Sequence, residues 1–382
     1  MWHLSRDNAV EWLRLVGLGD DPSARVEALS GGVSGVVLRV TVSGRWIVLK
    51  QACAQLRTRE AWFSDPARIF REQEVMDLLN PLLPAPAIPR VLFIDRERGV
   101  LAMEHAPEGA TPWKARLLAG EIDAEVALQA GRLLGMIHRV TAERRAELSH
   151  LEERGVFVQL RVDPFYRKIQ ERHPDLASLI EPLVEGMLTR TDALCHGDFS
   201  PKNLLVPLAP RPHPPNPPLP QGEGGASPAR DRATPSDMPP APPLLRERGL
   251  GGEVFGITLV DHETAHLGDP AMDIGFFFSH LVLKAMRTPS RWPEWKRLIQ
   301  SALQGYRDEA LPLADIDRRS LAHLAVCLLA RVDGTSPVDY LPDEPTRDAV
   351  RRLGRSLLLD PVETWNAALD RVALARTGER GA

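Results

Sequence analysis

The sequence predicts an α+β protein in which a small antiparallel sheet precedes a larger, mainly helical part. Three observations support this prediction. Runs rich in β-branched residues dominate the first ~105 residues. Helical periodicity begins at Ile122 and continues through most of the remaining chain. One proline-rich stretch, Pro207–Gly252, interrupts the helical part. Such a two-lobed layout places ligands in the cleft between the lobes.

The first lobe, residues 1–104, begins with apolar spacing typical of a short amphipathic helix over Asp7–Val16. Three antiparallel strands are then predicted in VEALSGGVSGVVLRVTVSGRWIVLKQA, with Lys50 at the end of the third. A helix from Pro66 to about Leu79 follows, and the lobe closes with strands at VLFID and GVLAMEH. These segments form one sheet with a helix inserted between its third and fourth strands.

The second lobe, residues 105–382, reads as helical almost throughout, and an apolar helix begins at about Asp273. Its only strand candidates flank the proline-rich stretch. Fourteen of the 34 prolines fall within that stretch, which has almost no β-branched or aromatic residue, so we interpret it as a disordered insertion. The alternative is a polyproline ligand for a partner protein. Removing the insertion joins Leu204–Val206 to EVFGITLVD as a β-hairpin.

Composition narrows the class of protein. With 43% hydrophobic and 26% charged residues the chain is typical of a globular protein, and its net charge of −4 argues against a nucleic-acid partner. The longest apolar run, Ile274–Leu283, is too short for a bilayer, and the N-terminus lacks the apolar core of a signal peptide. Three widely spaced cysteines fit a reducing cytoplasm. We therefore expect no membrane partner. Composition does not predict the oligomeric state.

The segment LCHGDFSPKNLLV carries the most informative pattern. Asp198 and Asn203 are spaced so that one loop supplies a carboxylate to orient an attacking hydroxyl and an oxygen ligand for Mg²⁺. A second metal carboxylate is expected on the next strand, and LVDHE provides Asp261 there. Asp261 lies 63 positions after Asp198, and subtracting the 46 residues of the insertion leaves 17, the length of a short hairpin. This spacing predicts phosphoryl transfer.

HGDFSPKNLL, LVDHE and the following GDPAMDIGFF resemble the aminoglycoside phosphotransferases and related small-molecule kinases, which have a bilobal protein-kinase-like fold. The resemblance implies that Asp198 is the catalytic base and that Asn203 and Asp261 hold magnesium. It implies a structural role for His196, and for the aspartates of GDPAMD a role in supporting the catalytic loop. Glu263 either assists the metal or braces the loop. ATP and Mg²⁺ are the implied cofactors.

The first lobe carries further motifs in the order that a bilobal kinase requires. Lys50 ends WIVLK, which resembles the kinase strand whose lysine holds the α- and β-phosphates. Glu72, 22 residues later in REQEVMDLL, is its expected ion-pair partner, and Glu74 is the alternative. A glycine-rich turn in LSGGVSGVV would approach phosphate oxygens through backbone amides, unless it is a plain hairpin turn. Its candidate residues are Gly31, Gly32, Ser34 and Gly35.

LAMEHA resembles the hinge between kinase lobes, where backbone groups near Glu104 and His105 would hold adenine and Met103 would line the pocket. No activation segment fits between Asp261 and the next helix, so the predicted acceptor is a small molecule presenting a hydroxyl. A sugar, an amino alcohol or an aminoglycoside-like compound would fit, although the 18 acidic and 16 basic residues after position 253 disfavour a dedicated aminoglycoside-resistance enzyme.

Three further readings of the sequence stay open. VLKQACAQLR and WKARLLAG resemble segments of methylthioribose kinases, which implies a sugar hydroxyl as acceptor. The segment after position 330 is a candidate for shaping the acceptor pocket through Arg331 or Asp333, or else a glycine turn between helices. The alternatives to an enzyme are a catalytically degenerate kinase that binds nucleotide or a partner, and a scaffold acting through the insertion.

Overall fold

The computed structural model describes residues 2–21, 23–29, 35–56, 62–207, 256–341 and 343–377. The predicted insertion Pro207–Gly252 lies, apart from Pro207, outside the described residues, as do Gly31, Gly32 and Ser34. Residues 1–207 and 255–382 form one compact unit. The boundary between lobes at residues 104 and 105 therefore stays a prediction.

A five-stranded antiparallel sheet forms the first part of the chain, as predicted. Its strand order is β1-β2-β3-β5-β4, and buried and partly buried side chains alternate along much of β2 (Gly35–Val42) because successive residues point to opposite faces. The third strand lies in the middle, paired on one side with β2 and on the other with β5, so that Lys50 stands opposite Val37 and Leu101. The strands are β1 (Arg25–Ala28), β2 (Gly35–Val42), β3 (Arg45–Ala52), β4 (Val91–Asp95) and β5 (Val100–Glu104).

Two helices pack against this sheet. Helix α1 (Ala9–Leu15) lies within the predicted Asp7–Val16, and Trp12 and Leu13 bury against the apolar side chains of the sheet in a small core of their own. Trp12 Nε1 also donates a 2.9 Å hydrogen bond to Asp95. Helix α2 (Arg68–Leu79) confirms the predicted helix, and its buried apolar side chains join the main core of the protein.

The rest of the described chain is mainly helical. Helix α8 is buried along nearly its whole length, because it runs through the centre of the main core. The helices are α3 (Trp113–Leu118), α4 (Ala124–Ala142), α5 (Gly155–Phe157), α6 (Lys168–Arg172), α7 (Ala177–Thr189), α8 (Pro270–Arg287), α9 (Trp292–Glu309), α10 (Ile316–Asp333), α11 (Glu344–Leu359) and α12 (Trp365–Thr377). A π-helical stretch, Val158–Arg167, continues α5 into α6.

Short strands in this helical part carry the predicted site. The hairpin across the insertion is confirmed, since β8 (Leu204–Val206) pairs antiparallel with β9 (Thr258–Leu259). The expectation that these two were the only strands after Ile122 was wrong. Strand β7 (Ala193–Cys195) pairs with β10 (His266–Gly268). Three residues are too few to show strand periodicity in a sequence.

The remaining strand, β6 (Thr111–Pro112), pairs with β8 and leads directly into α3. Among the described residues, no helix is long and apolar enough to cross a bilayer. The three cysteines are free, as expected from their spacing.

Candidate active site

The loop between β7 and β8 carries the predicted catalytic motif, and buried hydrogen bonds fix its backbone. The carboxylate of Asp273, on α8, accepts hydrogen bonds from the backbone N–H groups of His196 (2.6 Å) and Gly197 (2.8 Å). Thr264 Oγ1 donates to the carbonyl oxygen of His196 at 2.8 Å. Gly197 has φ = +74°, and a Cβ there would lie 2.8 Å from the Thr264 carbonyl oxygen, so the loop requires glycine.

Asp198 lies at the centre of a group of basic side chains. Its Oδ1 is 2.7 Å from Arg161 Nη2, its Oδ2 is 3.1 Å from Lys202 Nζ, and Asn203 Nδ2 donates to Oδ2 at 3.0 Å. Burial alone would raise the pKa of Asp198, but the charges of Arg161 and Lys202 outweigh it and hold the pKa well below its usual 3.8. The side chain is therefore an ionised hydrogen-bond acceptor.

Asn203 and Asp261 provide oxygen ligands of the kind that Mg²⁺ prefers. The amide nitrogen of Asn203 is directed at the carbonyl and carboxylate oxygens of Asp198, so its Oδ1 is the atom left to bind a cation, and no described residue donates a hydrogen bond to it. Backbone bonding joins the two strands here, because Val260 N donates to the Asn203 carbonyl oxygen at 3.0 Å. The donor set fits a hard divalent cation.

Asp261 adopts a left-handed backbone conformation, with φ = +66° and ψ = +58°. This region is uncommon for a residue with a Cβ, although Asp tolerates it better than most, and such strain is typical of functional sites. Its Oδ1 lies 2.6 Å from Lys50 Nζ. Burial would raise the pKa of Asp261, but the charges of Lys50 and Lys202 hold it below its usual value.

Lys50 is buried among carboxylates. Its Nζ lies 2.7 Å from Glu72 and 2.6 Å from Asp261, with Glu263 at 4.0 Å. Burial would lower the pKa of Lys50, but these three charges raise it above its usual value, so the side chain is an ammonium. The structure pairs Lys50 with Glu72 rather than with the alternative Glu74.

Glu74 is half-exposed and faces Arg71 and His150 instead. Glu263 is held by Arg68, whose Nε donates to it at 3.1 Å. Arg68 is itself fixed by the backbone carbonyl groups of Ser64, Asp65 and Cys53. This arrangement favours the bracing role over the metal role for Glu263, because its carboxylate already ties the metal segment to α2.

The predicted adenine side of the site lies at the end of β5. Met103 is buried, and Glu104 forms an ion pair with Arg90 at 2.6 Å, while its backbone N–H donates to the Arg90 carbonyl oxygen. The ring of His105 packs edge-on against Trp46. The N–H group of Glu104 is thus already hydrogen-bonded within the protein. Binding of adenine by the other backbone groups near Glu104 and His105 stays a prediction. Of the glycine-rich turn, only Gly35 lies within the described residues, where a Cβ would meet the Gln51 carbonyl oxygen at 2.4 Å.

The two candidates after position 330, Arg331 and Asp333, lie in the last turn of α10 and have different surroundings. The carboxylate of Asp333 is held by Arg351 at 2.8 Å and by His173 at 3.0 Å, so it joins the end of α10 to α11 and to the residue that follows α6. Arg331 instead stacks over Phe165, 5.5 Å from the ring centroid, and the charge of Asp198 acts on it. Of the two candidates, only Arg331 belongs to the neighbourhood of the site.

Sequence reasoning missed three charged residues of the site: Arg161, Lys202 and Arg68. Lys202 lies inside the predicted motif, and a search for cations next to Asp198 would have found it. The other two are on helical segments whose local sequence carries no signal, because their importance comes from contacts with residues far along the chain.

Comparison with known proteins gives a family match and several likenesses in structure. The model of the phosphotransferase enzyme family matches residues 25–213. Among solved structures, the chain is similar to a macrolide 2'-phosphotransferase from Brachybacterium faecium, with 18% identity over 98% of this chain and 100% of that chain and a TM-score of 0.47. It is also similar to a choline/ethanolamine kinase family protein from Mesorhizobium loti, with 15% identity over 96% and 99% of the two chains and a TM-score of 0.48. No curated protein gives a significant match.

Proposed function

We propose that this chain, whose residues 25–213 match the model of the phosphotransferase enzyme family, transfers the γ-phosphate of ATP to a hydroxyl group of a small molecule. One observation carries the proposal. Lys50, Asp261 and the loop of Asp198 and Asn203 come from three separate parts of the sequence. The Lys50–Asp261 contact, the backbone bond from Val260 to Asn203 and the Asn203–Asp198 bond join them into one site. Phosphoryl transfer relies mainly on such positioning and on charge stabilisation.

Lys50 would hold the phosphates of the nucleotide. Its pKa, raised by the surrounding carboxylates, supports a permanent positive charge, and Glu72 on α2 fixes its position at 2.7 Å. Asp261 and the Oδ1 of Asn203 would hold Mg²⁺, which supplies neutralisation of the phosphate charge when it is bound.

Asp198 would orient the acceptor hydroxyl. The new bond joins the hydroxyl oxygen to the γ-phosphorus, the bond from that phosphorus to ADP breaks, and the hydroxyl proton passes to Asp198 and then to solvent. A carboxylate with so low a pKa is a weak base. This suits a loose transition state, in which the hydroxyl proton leaves late and the main requirement is an aligned hydrogen-bond acceptor.

The connection after Asp261 supports a small acceptor. Only residues 262–269 separate Asp261 from Pro270, the first residue of α8, and this stretch holds a short 3₁₀ turn and strand β10. Both are bound to the catalytic loop and to β7, so no platform for a peptide substrate is formed by these residues.

The test is Asp198→Asn in an ADP-release assay with Mg²⁺ and ATP over sugars, nucleoside-derived sugars, amino alcohols and aminoglycosides. We expect kcat to fall about 10²- to 10⁴-fold because the aligned acceptor for the hydroxyl proton is lost. ADP affinity should change less than about twofold, since Asp198 would contact the acceptor hydroxyl rather than the nucleotide. Asp163→Asn, an exposed change on the same helical stretch as Arg161, is the matched control.

Two outcomes would contradict the proposal. Turnover at the normal rate by Asp198→Asn would remove Asp198 from the reaction. Absence of phosphorylated product across the whole panel, with intact ADP binding, would favour a catalytically degenerate kinase that binds nucleotide without chemistry.

A further inference from the structure

A second group of basic side chains lies beside the catalytic loop and is not used by the transfer described above. Lys114 begins the first turn of α3, and its backbone N–H donates to the Pro201 carbonyl oxygen at 2.8 Å, which ties it to the catalytic loop. Its ammonium group stands 5.7 Å from the centroid of the Tyr340 ring, and the ammonium group of Lys284 stands 5.0 Å from the same ring. One aromatic ring is therefore shared by two lysine side chains.

Lys284 is buried without a counter-ion. Only 2% of it is exposed, its Nζ donates to the His280 carbonyl oxygen at 3.0 Å, and no carboxylate of the described residues lies within ion-pair distance. Burial, together with the charges of Lys114 and Arg331, holds the pKa of Lys284 well below its usual 10.5. Burial without a counter-ion disfavours the charged form of this amine, and an anion bound beside it would restore the ammonium charge.

Arg331 contributes a third cation to this group. Its guanidinium stacks on the ring of Phe165, which also lies 5.8 Å from the guanidinium of Arg161, the partner of Asp198. Nη1 of Arg331 donates to the Ser336 carbonyl oxygen at 2.8 Å, whereas its buried Nε has no partner among the described residues. Arg331 likewise has no carboxylate at ion-pair distance in that part of the chain.

Two further polar groups here are unsatisfied. His280 is 6% exposed and its Nε2 has no hydrogen-bond partner in the described structure, and the same holds for the hydroxyl group of Tyr340. The His280 ring packs on Phe276 at 5.0 Å, and the guanidinium of Arg161 lies 5.4 Å from that Phe276 ring. A continuous series of contacts thus leads from Asp198 to Lys284. Buried polar atoms without partners are rare and indicate a missing ligand or water.

This group is separate from the predicted nucleotide site. Lys50 is surrounded by carboxylates, whereas the charged groups that act on Lys284 are Lys114 and Arg331. The charge of Asp198 acts on both Asp261 and Arg331, so Asp198 is near both groups. A ligand held by these basic side chains would therefore lie within reach of Asp198.

We propose that the acceptor is an anion: a small hydroxyl compound with a carboxylate or phosphate group that is bound by Lys114, Lys284 and Arg331. The hydroxyl groups and oxyanion of such a compound would also satisfy His280 Nε2 and the Tyr340 hydroxyl. The proposal rests on the phosphotransferase function proposed above and narrows its substrate class. A polycationic acceptor would be repelled by the same three side chains, because like charges at close range cost energy.

The first experiment compares matched acceptors with Mg²⁺ and ATP: glycerol, glycerate and glycerol 3-phosphate; ribose and ribose 5-phosphate; glucose, gluconate, glucose 6-phosphate and glucosamine. We expect kcat/KM for an anionic member to exceed that of its neutral or cationic counterpart by at least about tenfold. The carboxylate and phosphate members distinguish the two kinds of oxyanion. Preference for the neutral or cationic members would overturn the inference and leave the proposed function standing.

The second experiment measures binding of inorganic phosphate and of citrate by calorimetry to the full chain and to Lys284→Met. We expect at least about a tenfold loss of affinity in the variant, with ADP affinity unchanged within about twofold. Lys296→Met, an exposed lysine of α9 paired with Asp370, is the matched control. Lys284→Met should also raise the melting temperature, because it removes an unpaired buried amine.

The two proposals fail in different ways. Anion binding that depends on Lys284, without phosphoryl transfer to any compound, would overturn the proposed function and leave the anion site. Equal anion binding by the full chain and Lys284→Met would overturn the anion site, whatever the acceptor panel shows. If Lys284→Met does not fold, Arg331→Gln, whose side chain is less buried, replaces it with the same expected outcomes.

Discussion

Asp273 shows how one buried side chain positions the catalytic loop. It is completely buried, it accepts hydrogen bonds from two consecutive backbone N–H groups, and His138 Nε2 lies 3.4 Å from it. Burial would raise the pKa of Asp273, but the hydrogen bond and charge of His138 and the bonds from the loop lower it. The predicted supporting role of this aspartate agrees with these contacts, and the other ring nitrogen of His138 lies 3.1 Å from the Tyr306 hydroxyl.

Replacing Asp273 with Asn should therefore weaken both stability and activity. The amide offers one acceptor oxygen where the carboxylate offered two, so one backbone N–H of the loop loses its partner, at a cost of about 1–3 kcal/mol. The free energy of unfolding in urea measures this loss. Asp308→Asn, on the surface of α9, is the control and should change stability by less than about 0.5 kcal/mol. Equal effects of the two changes would contradict the positioning role.

At the scale of elements, α4 and α9 approach unusually closely through glycines. A Cβ on Gly131 would lie 2.0 Å from the Ala302 carbonyl oxygen, and one on Gly305 would lie 2.1 Å from that of Leu128. The two backbones are thus in direct contact on both sides of the interface. Helix α4 belongs to the main core, and Oγ1 of its Thr141 accepts a 3.0 Å hydrogen bond from Leu194 N–H in β7. The contact with α9 therefore fixes a helix that is bound to the strand preceding the catalytic loop.

Gly131→Ala should destabilise the protein by about 1–3 kcal/mol or more, because the helices must separate to admit a methyl group. Gly186→Ala on α7 makes the same chemical change where a Cβ would meet nothing within 4 Å. It should stabilise by about 0.5–1 kcal/mol, since Ala is the better helix former. Urea unfolding of both variants checks the pair. Stabilisation by Gly131→Ala would disprove the close contact.

At the scale of the whole molecule, the core contains several neutral histidines. The ring of His266 stacks on Phe157 at 3.9 Å, and His323 lies 2.7 Å from the hydroxyl of Tyr166. Burial lowers the pKa of both rings to about 4. These rings fill core space and donate or accept hydrogen bonds only while they remain uncharged.

Stability should consequently fall as the pH is lowered from 7 toward 4.5. An unfolded histidine binds its proton near pH 6.5, whereas His266 and His323 do so only near pH 4, so unfolding takes up protons between these values. Burial also holds the pKa of His262 and His280 well below 6.5 and adds in the same direction. Glu72 acts in the opposite direction. Burial raises its pKa to about 7, so in this pH range the folded protein holds a proton on Glu72 that the unfolded chain releases.

The net uptake is at least one proton, which corresponds to about 1.4 kcal/mol or more per pH unit. Urea unfolding at pH 7.5, 6.0 and 5.0 measures the slope, and His266→Gln should reduce it because one titrating group is removed. His3→Gln, on an exposed side chain, should leave the slope unchanged. A stability that stays constant or increases toward pH 5 would contradict the neutral buried rings.

The connection between β8 and β9 gives a second prediction at this scale. Leu205 stands opposite Thr258, and a Cβ on Gly256 would lie 3.5 Å from Pro207, so the chain ends on either side of residues 208–255 are close together. Replacing these residues by a Gly-Ser linker of about four residues should keep the melting temperature within about 2 °C, because a short hairpin loop closes at low entropic cost. ADP affinity should also be kept.

Differential scanning calorimetry measures the melting temperature of the shortened chain, and titration with ADP measures its nucleotide affinity. Loss of folding or of nucleotide binding would show that the deleted residues take part in the catalytic unit. Loss of a binding partner from an otherwise normal protein would instead support the scaffold hypothesis for the proline-rich stretch.

Much of the first part of the fold could be predicted, because its strands and helix are long enough to show their period. Sheet β1–β5 and helices α1 and α2 lie within or close to the predicted segments. The motifs of Lys50, Asp198, Asn203 and Asp261 predicted the family, and the match over residues 25–213 confirms it. Strands β6, β7 and β10 escaped prediction, since two or three residues carry no periodicity.

The amino-acid sequence by itself determined the order of elements and the spacing of the motifs, because both are local properties of the chain. The tertiary structure alone decided which charges meet. It placed Arg161 against Asp198, Arg68 against Glu263, and Lys114, Lys284 and Arg331 around Tyr340 and Phe165. The physical reason is that such pairs are distant in sequence, and packing of the helices, rather than any local pattern, brings them within reach of one another.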